Sequence, residues 1–354
     1  MTKAELDNRK VLPLEDSWYR RVKEKLDGIA KPLDGLGKFE HLIAQIGAIE
    51  KTTKISIQKK AVLVMCADNG VVEEQVSQSG KEVTLAVAKA MGVNNSSVGK
   101  MAAVAGVDVI PVDIGIDTDE VIPGVLSRKV TKGTKNFARE PAMTEEEVLK
   151  AIETGIQLVQ QCHRDGYEIL ATGEMGIGNT TTSTAVAAAL LDLEVEQVTG
   201  KGAGLTDEAL KRKCRVIEEA IEKYSLREAD AFTILKTVGG LDIAGLTGVF
   251  IGAAIEQIPV VIDGVISAVA ALLAETLCKG TVNYMIPSHK SRELAETAIM
   301  KKLHLDPVLD ADMALGEGTG AVMMMSLLDV ALGVYLKGAS FANFEIEQYK
   351  RYEE

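Results

Sequence analysis

Short runs of β-branched and other apolar residues recur along the chain, and each run ends at a polar or turn-forming residue. A strand that is buried on both faces shows such a continuous apolar run, whereas a half-exposed strand alternates apolar and polar residues. The pattern therefore predicts buried strands at residues 61–67, 107–112, 168–172, 259–262 and 282–286.

Helical patterns separate these runs. Thr144 and Glu147 have the spacing of a capping box and open a series of apolar residues at helical spacing, and a second helix is predicted from Asp207 to Tyr224. Strands that alternate with helices are typical of a parallel sheet, in which ligands bind beyond the carboxyl ends of the strands. We therefore predict a three-layer α/β fold with a mostly parallel, Rossmann-like central sheet.

The two ends of the chain differ from its middle. The first 55 residues mix leucines with charges and contain no strand-like run, and the last 40 are also predicted to be helical. We therefore expect a small helical subdomain built from residues 1–55 plus 315–354. The remaining residues, 56–314, form the predicted large α/β domain, which carries the ligand site.

Composition narrows the class of protein. The chain of 354 residues is 47% hydrophobic, has a formal net charge of −12 and contains only 4% aromatic residues. A negative net charge repels nucleic acid and anionic membranes, and few aromatics are available for base stacking. The most apolar region, 244–278, is interrupted by Glu256, Gln257 and Asp263, which favours a buried core over a membrane span. We expect neither nucleic acid nor a membrane as a partner.

The four cysteines and four histidines are scattered along the chain. No two cysteines have C-x-x-C spacing, and the first ten residues lack the apolar segment of a signal peptide. Scattered cysteines in a long chain are typical of reduced cytoplasmic proteins, and scattered ligands make a poor metal site. The protein is therefore expected in the cytoplasm, without a bound metal.

The loop GEMGIGN (173–179) is the strongest chemical signal in the sequence. It follows a predicted strand and precedes a helix of small residues, and its glycines leave backbone N–H groups open at the helix start. Such a helix start binds phosphate readily, although the loop lacks the lysine of a Walker motif. The alternative is a tight turn that needs glycine for packing alone.

Two further glycine turns precede helices. Gly202 lies before the helix that begins at Asp207, and Lys213 in that helix either adds charge to a phosphate site or is simply solvated. Glu317 lies between two glycines at the start of an apolar helix, where it either complements the helix dipole or acts as a general base. Asp263 precedes a glycine and has the more ordinary interpretation of a turn residue.

Taken together, these segments resemble the nicotinate-nucleotide–dimethylbenzimidazole phosphoribosyltransferase family. The resemblance covers nearly the whole chain, and the combination of GEMGIGNTTT (173–182) with LGEGTGA (315–321) is very specific. The other segments that carry it are KPLDGLGKFE (31–40), ADNGVVEEQVS (67–77), SSVGKMA (96–102), GTKNFAREPAMT (133–144), GKGAGLTDE (200–208), VGGLDIAG (238–245), VIDGVISAVAALLA (261–274) and SHKS (288–291).

The resemblance implies a reaction. The ribose 5-phosphate of nicotinate mononucleotide passes to an aromatic acceptor, a benzimidazole, a purine or a phenol, to give an α-ribotide for the lower ligand of a cobamide, and nicotinate leaves. Because the pyridinium of the donor is already a charged leaving group, positioning, phosphate neutralisation and one base suffice, and no metal or cofactor is expected. The resemblance also implies a dimer of identical or non-identical subunits.

Site residues follow from the same resemblance. Glu317 matches the catalytic base. The residues implied at the nucleotide and its phosphate are Glu174, Gly176, Gly178, Asn179, Thr180, Gly202, Lys213, Asp263, Gly264 and Ser291. The residues implied at the acceptor are Ser77, Gln78, Ser79, Gly80, Met175, Leu315 and Gly316.

The chain departs from the family pattern at two places. Asn69 stands where many members have histidine, and residues 75–80 lack an aromatic position that many members have near the acceptor. The second departure leaves the identity of the acceptor open. It also supports an alternative, a non-catalytic or partner-dependent subunit of a heterodimeric, phenol-activating relative, against which the retention of Glu317 and Lys213 argues.

Overall fold

The structure is a computed structural model that describes residues 1–202 and 204–351. Within these residues the helices are α1 (Lys3–Asp7), α2 (Asp16–Asp27), α3 (Lys38–Ile49), α4 (Glu82–Gly92), α5 (Ser97–Ala105), α6 (Glu145–Arg164), α7 (Asn179–Leu191), α8 (Val195–Val198), α9 (Asp207–Lys223), α10 (Ala231–Val238), α11 (Leu241–Glu256), α12 (Val265–Leu277), α13 (Leu294–Leu303) and α14 (Thr319–Lys337). The strands are β1 (Lys60–Ala67), β2 (Val107–Gly115), β3 (Leu126–Ser127), β4 (Ile169–Met175), β5 (Val260–Ile262) and β6 (Met285–Pro287).

These strands form one sheet in the order β3-β2-β1-β4-β5-β6, and every neighbouring pair is parallel. The chain runs outward from β1 to β3 and then crosses back to place β4 on the other side of β1. Such a reversal opens a crevice at the carboxyl ends of the central strands, where α/β sheets bind ligands. The predicted α/β class and Rossmann-like sheet are confirmed.

Helices cover both faces of the sheet because its central strands are apolar on both sides. Along β1, Leu63 packs into the core formed with α6, α7 and α9 to α13, whereas Val64 packs into the core formed with α2 to α5 and α14. All eight residues of β1 are buried. The three layers expected from continuous apolar runs are therefore present.

The structure differs from the predicted elements at three places. The run at 282–286 is mostly a 3₁₀ helix, Thr281–Tyr284, and the strand begins only at Met285. The two-residue strand β3 was not predicted, because a partly exposed pair such as Leu126–Ser127 has no apolar run to mark it. The end of the chain is helical only to Lys337 and in a 3₁₀ turn at Phe341–Phe344.

The two ends of the chain contact each other. Ile29 and Ser340 form an antiparallel bridge, and the Tyr335 hydroxyl donates to the Thr53 carbonyl at 2.9 Å. Their helices α2, α3 and α14 also share one hydrophobic core with the sheet. The division into residues 1–55 plus 315–354 and residues 56–314 remains a prediction.

The most apolar segment lies inside the molecule, as predicted. Residues 241–254 of α11 and residues 265–274 of α12 are buried throughout. In the described part of the chain one helix, Thr319–Lys337, is long and apolar enough to cross a membrane by length and composition alone. In this helix 56% of the most apolar 18-residue stretch is buried. Its buried apolar residues pack in the core formed with α2 to α5.

Candidate active site

A cavity of about 320 Å³ lies beyond the carboxyl ends of β4, β5 and β6. The helices α7 and α12 begin in its wall, at Asn179 and Val265, and α14 begins two residues after Glu317. Helix N-termini carry partial positive charge and open N–H groups, so this arrangement favours an anionic ligand. The lining residues are Val87, Glu174, Met175, Gly176, Ile177, Asn179, Thr180, Gly202, Asp263, Gly264, Val265, Ile266, Ser267, His289, Ser291, Glu293, Ala314, Leu315, Gly316 and Glu317.

Glu317 owes its orientation to a left-handed stretch of backbone. Gly316, Glu317 and Gly318 have φ values of 80°, 62° and 90°. A residue with a side chain rarely adopts this region, and two flanking glycines reduce the steric cost of a left-handed stretch. One Glu317 carboxylate oxygen accepts a hydrogen bond at 3.0 Å from the backbone N–H of Val98, in the first turn of α5. The half-buried carboxylate is therefore held at a helix N-terminus and still faces the cavity.

Asp263 supports this loop from below. Its two carboxylate oxygens accept from the backbone N–H groups of Gly318, at 3.2 Å, and Ala321, at 3.0 Å. Burial raises the pKa of Asp263 to about 6, although these backbone hydrogen bonds oppose the shift. Asp263 thus lines the cavity and at the same time caps the start of α14.

Gly173 lets β4 approach the Glu317 loop. A Cβ atom at Gly173 would lie 2.6 Å from the Glu317 carbonyl oxygen and 2.9 Å from the Gly318 nitrogen. Such contacts with backbone atoms cannot relax without displacing the loop. Gly173, which begins the GEMGIGN motif, is therefore needed for the close packing of β4 against the backbone of Glu317.

Glu174 is the penultimate residue of β4 and is buried at the base of the cavity, with 8% of its surface exposed. The Asn179 side-chain amide donates to Glu174 and also to Asp242, at 3.1 Å from the latter. Burial raises the pKa of Glu174. Burial likewise raises the pKa of Asp242, which is fully inaccessible.

Lys213 is a buried cation beside the N-terminus of α7. Its ammonium group donates to the Thr180 hydroxyl at 2.9 Å and to the Gly200 carbonyl at 3.2 Å. Burial lowers the pKa of Lys213 to about 8, and the charge of Glu293 partly opposes that shift. A Cβ atom at Gly202 would lie 3.1 Å from the Thr180 hydroxyl oxygen, which is a tight contact, so the glycine leaves room beside this hydroxyl. An ammonium group, a hydroxyl and open helix N–H groups together suit a phosphate.

The segment after β6 closes the cavity on the opposite side. The His289 ring is buried, and its Nδ1 atom lies 2.9 Å from the Ser288 hydroxyl, which donates to the Asp263 carbonyl. Burial lowers the pKa of His289. The backbone N–H of Ser291 donates to Glu296 at 2.6 Å, and burial raises the pKa of Glu296 to about 7.

The structure separates the residues predicted at the acceptor. Met175, Leu315 and Gly316 line the main cavity together with Glu317. Ser77 and Gln78 instead line a smaller cavity of about 100 Å³, which shares the 176–180 loop with the main one and also includes Gly178. Neither cavity is lined by Ser79 or Gly80.

The residues predicted at the nucleotide are mostly brought together. The main cavity is lined by Glu174, Gly176, Asn179, Thr180, Gly202, Asp263, Gly264 and Ser291. Lys213 lies behind Thr180 and Gly202 rather than in the lining itself. In the part of the chain that the structure describes, no group of three or more histidine, cysteine or acidic side chains is arranged to hold a metal ion.

Sequence reasoning missed Val98, Asp242 and His289. Val98 contributes only a backbone N–H, which no residue pattern reveals. Asp242 was visible as a single carboxylate at the start of the most apolar helix, a position where a charge needs a partner. His289 lies in the SHKS segment (288–291), in which the sequence predicts only Ser291 at the site.

Comparison with known proteins gives consistent matches along the chain. A model of a family described as phosphoribosyltransferase matches residues 11–346. A nicotinate-nucleotide–dimethylbenzimidazole phosphoribosyltransferase of Clostridium acetobutylicum is 43% identical over 337 residues, which are 95% of this chain and 96% of the relative. The enzyme of the same name from Acetivibrio thermocellus is 44% identical over 329 residues, which are 93% of this chain and 94% of the relative.

Solved structures agree with these relatives. The crystal structure of CobT from Thermus thermophilus matches with a TM-score of 0.89 at 33% identity, covering 94% of this chain and all of that one. A crystal structure from the same organism that bears the full name nicotinate-nucleotide–dimethylbenzimidazole phosphoribosyltransferase matches with a TM-score of 0.88 at 33% identity, covering 95% of this chain and all of that one.

Proposed function

The chain belongs to the nicotinate-nucleotide–dimethylbenzimidazole phosphoribosyltransferase family, and from this premise we propose that it transfers the phosphoribosyl group of nicotinate mononucleotide to 5,6-dimethylbenzimidazole. The bond between the ribose anomeric carbon and the pyridine nitrogen breaks, and a bond from that carbon to an acceptor nitrogen forms. The acceptor loses one proton, and nicotinate leaves. The enzyme is thus a pentosyltransferase of cobamide lower-ligand synthesis.

One observation carries the assignment of roles. A carboxylate, Glu317, and an anion site built from Thr180, Gly202 and the buried Lys213 adjoin the same cavity. Its volume of about 320 Å³ falls in the range of small-molecule sites. The phosphate of the donor therefore occupies the α7 end of the cavity, and the acceptor proton lies at the Glu317 end.

The chemistry needs little more than this geometry. The N-terminus of α7 and Lys213 neutralise the phosphate and so anchor the ribose. Glu317, held by Val98, accepts the acceptor's N–H proton while the anomeric carbon is attacked. The positive charge of the pyridinium disappears as nicotinate departs, so the leaving group needs no acid. Holding both rings in line supplies the remaining acceleration.

The acceptor end of the cavity is apolar enough for a substituted benzimidazole. Met175 and Leu315 line the cavity together with Glu317, and Leu315 is 53% exposed. A phenolic acceptor would present an O–H proton to the same carboxylate. The named relatives favour the benzimidazole, and they offer nothing for the alternative of a non-catalytic subunit.

The test is an acceptor screen with the purified chain alone. Nicotinate release from nicotinate mononucleotide would be measured with 5,6-dimethylbenzimidazole, adenine or phenol. Turnover with the benzimidazole is expected and supports the proposal. Turnover with phenol alone would reassign the acceptor, and no turnover with any acceptor would contradict an enzyme that acts without a second chain.

We also propose that the protein is a dimer. The helices α5 and α14 share an apolar groove lined by Met101, Val104 and Met323, and Val104 is 91% exposed. A contiguous exposed apolar surface is typical of a protein interface. Light scattering should give the mass of two chains, and Val104→Lys should give a monomer. Val121→Lys, at a valine that is 84% exposed but does not line the groove, should leave the dimer intact.

A cytoplasmic location is proposed for the same protein. All four cysteines, including the partly exposed Cys214, are free in the structure. Free thiols persist in reducing compartments. Cell fractionation that recovered the protein outside the cytoplasmic fraction would contradict this location.

A further inference from the structure

A buried polar group lies beneath the loop that follows β4. Asp242 and Asn69 are both 0% exposed, and neither lines the main cavity. Asp242 is the second residue of α11, the most completely buried helix of the chain, and Asn69 follows β1. The proposed reaction assigns no role to either side chain, although a polar group buried so completely needs a hydrogen-bond partner.

Asn179 connects this group to the cavity. Its side-chain nitrogen donates one hydrogen to Glu174 and the other to Asp242, at 3.1 Å from the latter. Both hydrogens of the amide are therefore used, and the side chain is fixed between carboxyls that belong to β4 and α11. The position of Glu174 at the base of the cavity depends in turn on Asn179.

The hydrogen bonds of Asn69 reveal a missing donor. Its side-chain nitrogen donates to the Ile177 carbonyl at 3.3 Å, which determines the direction of the amide. The amide oxygen is buried and has no partner. A Cβ atom placed on Gly240 would lie 2.6 Å from this oxygen and would also collide with a carboxyl oxygen of Asp242. An Asn69 oxygen and an Asp242 oxygen therefore lie beside the same buried point, and the Asn69 oxygen lacks a hydrogen-bond donor that a protonated Asp242 would supply.

The surrounding charges favour a neutral Asp242. The titratable groups around it are Asp68, Glu174 and the thiol of Cys66, all of which are acidic. Burial raises the pKa of Asp242, hydrogen bonds from Asn179 and from the Ile243 backbone oppose this shift, and the charge of Asp68 adds to it. Glu174 borders the cavity, whereas Asp242 does not, so a negative charge is better solvated on Glu174 than on Asp242.

We propose that Asp242 is a positioning residue that acts in its neutral form: its hydroxyl donates to Asn69, and its other oxygen accepts from Asn179. This inference rests on the proposed function, since Asn179 then holds Glu174 in place against the bound nucleotide. Asp242→Asn reproduces both bonds with an amide and gives up only the bond from the Ile243 backbone. Asp242→Ala removes them all.

The main experiment compares these two variants by nicotinate release. We expect Asp242→Asn to retain kcat within about threefold, the scale of one modest hydrogen bond. We expect Asp242→Ala to lose kcat by about 100-fold, the scale of a misplaced catalytic constellation, with the KM for nicotinate mononucleotide changed far less. Asp242→Asn as inactive as Asp242→Ala, with both folded, would overturn the neutral form, and an active Asp242→Ala would overturn the positioning role.

A second readout does not depend on activity. A carboxyl whose pKa is raised on folding stabilises the folded protein at low pH and loses that contribution as the pH rises. Since burial raises the pKa of Asp242 to about 6, the thermal midpoint of the wild type should fall more steeply than that of Asp242→Asn between about pH 4 and about pH 6. Equal slopes would contradict a proton on Asp242, even if the proposed reaction itself proved wrong.

Asp113 offers a matched control at the end of β2. It is 4% exposed, but Lys129 pairs with it at 2.9 Å, so this carboxyl acts in its charged form. Asp113→Asn should lower the thermal midpoint at neutral pH and leave kcat unchanged, whereas Asp242→Asn should not lower the midpoint. The same substitution would then have opposite consequences at a buried carboxyl in β2 and a buried carboxyl at the start of α11.

Discussion

The loops at residues 173–179 and 315–318 are built alike and used differently. Each leads into a helix N-terminus at the cavity and contains one glutamate. Glu174 is the penultimate residue of a strand, lies buried at the base of the cavity and accepts a hydrogen bond from the amide of Asn179. Glu317 lies between two glycines in left-handed backbone and is bound by one N–H of α5. The two carboxyls differ in surroundings rather than in type.

This difference supports Glu317, rather than Glu174, as the proposed base. A carboxylate that removes a proton needs a free oxygen facing the substrate, together with contacts that hold it in place. Glu317 has both, since only one of its oxygens accepts a described hydrogen bond and the residue lines the cavity. Glu174 is buried, with a raised pKa, and it is better suited to shaping the cavity floor.

The largest expected effect is at Glu317. Glu317→Gln should lower kcat by about 100- to 10,000-fold, the range for loss of a general base, because the amide cannot accept the acceptor proton. Binding of nicotinate mononucleotide, measured by calorimetry, should change little. Glu174→Gln is the matched comparison and should lose far less turnover. If Glu174→Gln were dead and Glu317→Gln active, the assignment of the two glutamates would have to be exchanged.

The next effect concerns the phosphate end. Lys213→Ala should raise the KM for nicotinate mononucleotide by about 10- to 100-fold, because a charge-assisted hydrogen bond to the phosphate is lost. Initial rates over a range of donor concentrations would separate this KM change from kcat, which should stay nearly constant. An effect confined to the KM of the acceptor would place Lys213 at the wrong end of the cavity.

A pH profile sharpens the same assignment. The pKa of Lys213 is lowered by burial to about 8, so in the unliganded enzyme its positive charge disappears as the pH rises through that value. The KM for nicotinate mononucleotide should therefore increase above about pH 8. Lys213→Arg keeps its charge at all these pH values and should show a flat profile. If the KM of the wild type were equally independent of pH, the charge of Lys213 would not contribute to binding of the donor.

The smallest effect tests the support of Glu317. The Ser96 hydroxyl accepts from the Gly99 N–H at 3.1 Å and caps α5, whose Val98 holds the glutamate. Ser96→Ala should cost about 1 kcal/mol of stability, as N-cap losses do, and should lower kcat severalfold. Thr144→Ala removes the cap of α6, far from the cavity lining, and should lower stability similarly without changing kcat. Equal kcat in both variants would show that the α5 cap does not support Glu317.

Much of the fold was accessible from the sequence. The run at residues 61–67 predicts a strand because a strand that is buried on both faces must be apolar throughout, and β1 is buried at every residue. The run at residues 107–112 also forms a strand, although Asp108 is exposed and Val109 and Ile110 are only partly buried. The strand at Met285 was placed too early, since apolar residues in a buried 3₁₀ turn look the same as those in a strand. Short strands such as Leu126–Ser127 are not predicted from the sequence, because they are strands only through their pairing with a neighbouring strand.

The candidate site was accessible to a smaller extent. Flanking glycines marked Glu317, and a strand–loop–helix pattern marked residues 173–179. The predicted acceptor segment was divided, because Ser77 and Gln78 lie at a second cavity on the other side of the 176–180 loop. Lys213 resembled a solvated helix lysine, and only its burial against Thr180 distinguishes it from one.

The sequence by itself determined the α/β class, the glycine loops and the family resemblance. These features depend on backbone preferences and on patterns of apolar residues that are close together in the sequence. Only the tertiary structure decided which partner each site carboxyl meets. Glu317 reaches Val98 across 219 positions of sequence, and Asn179 reaches Asp242 across 63. Such contacts depend on how helices pack around the sheet, and the free energy that fixes a carboxyl's role is set by burial and by these distant partners.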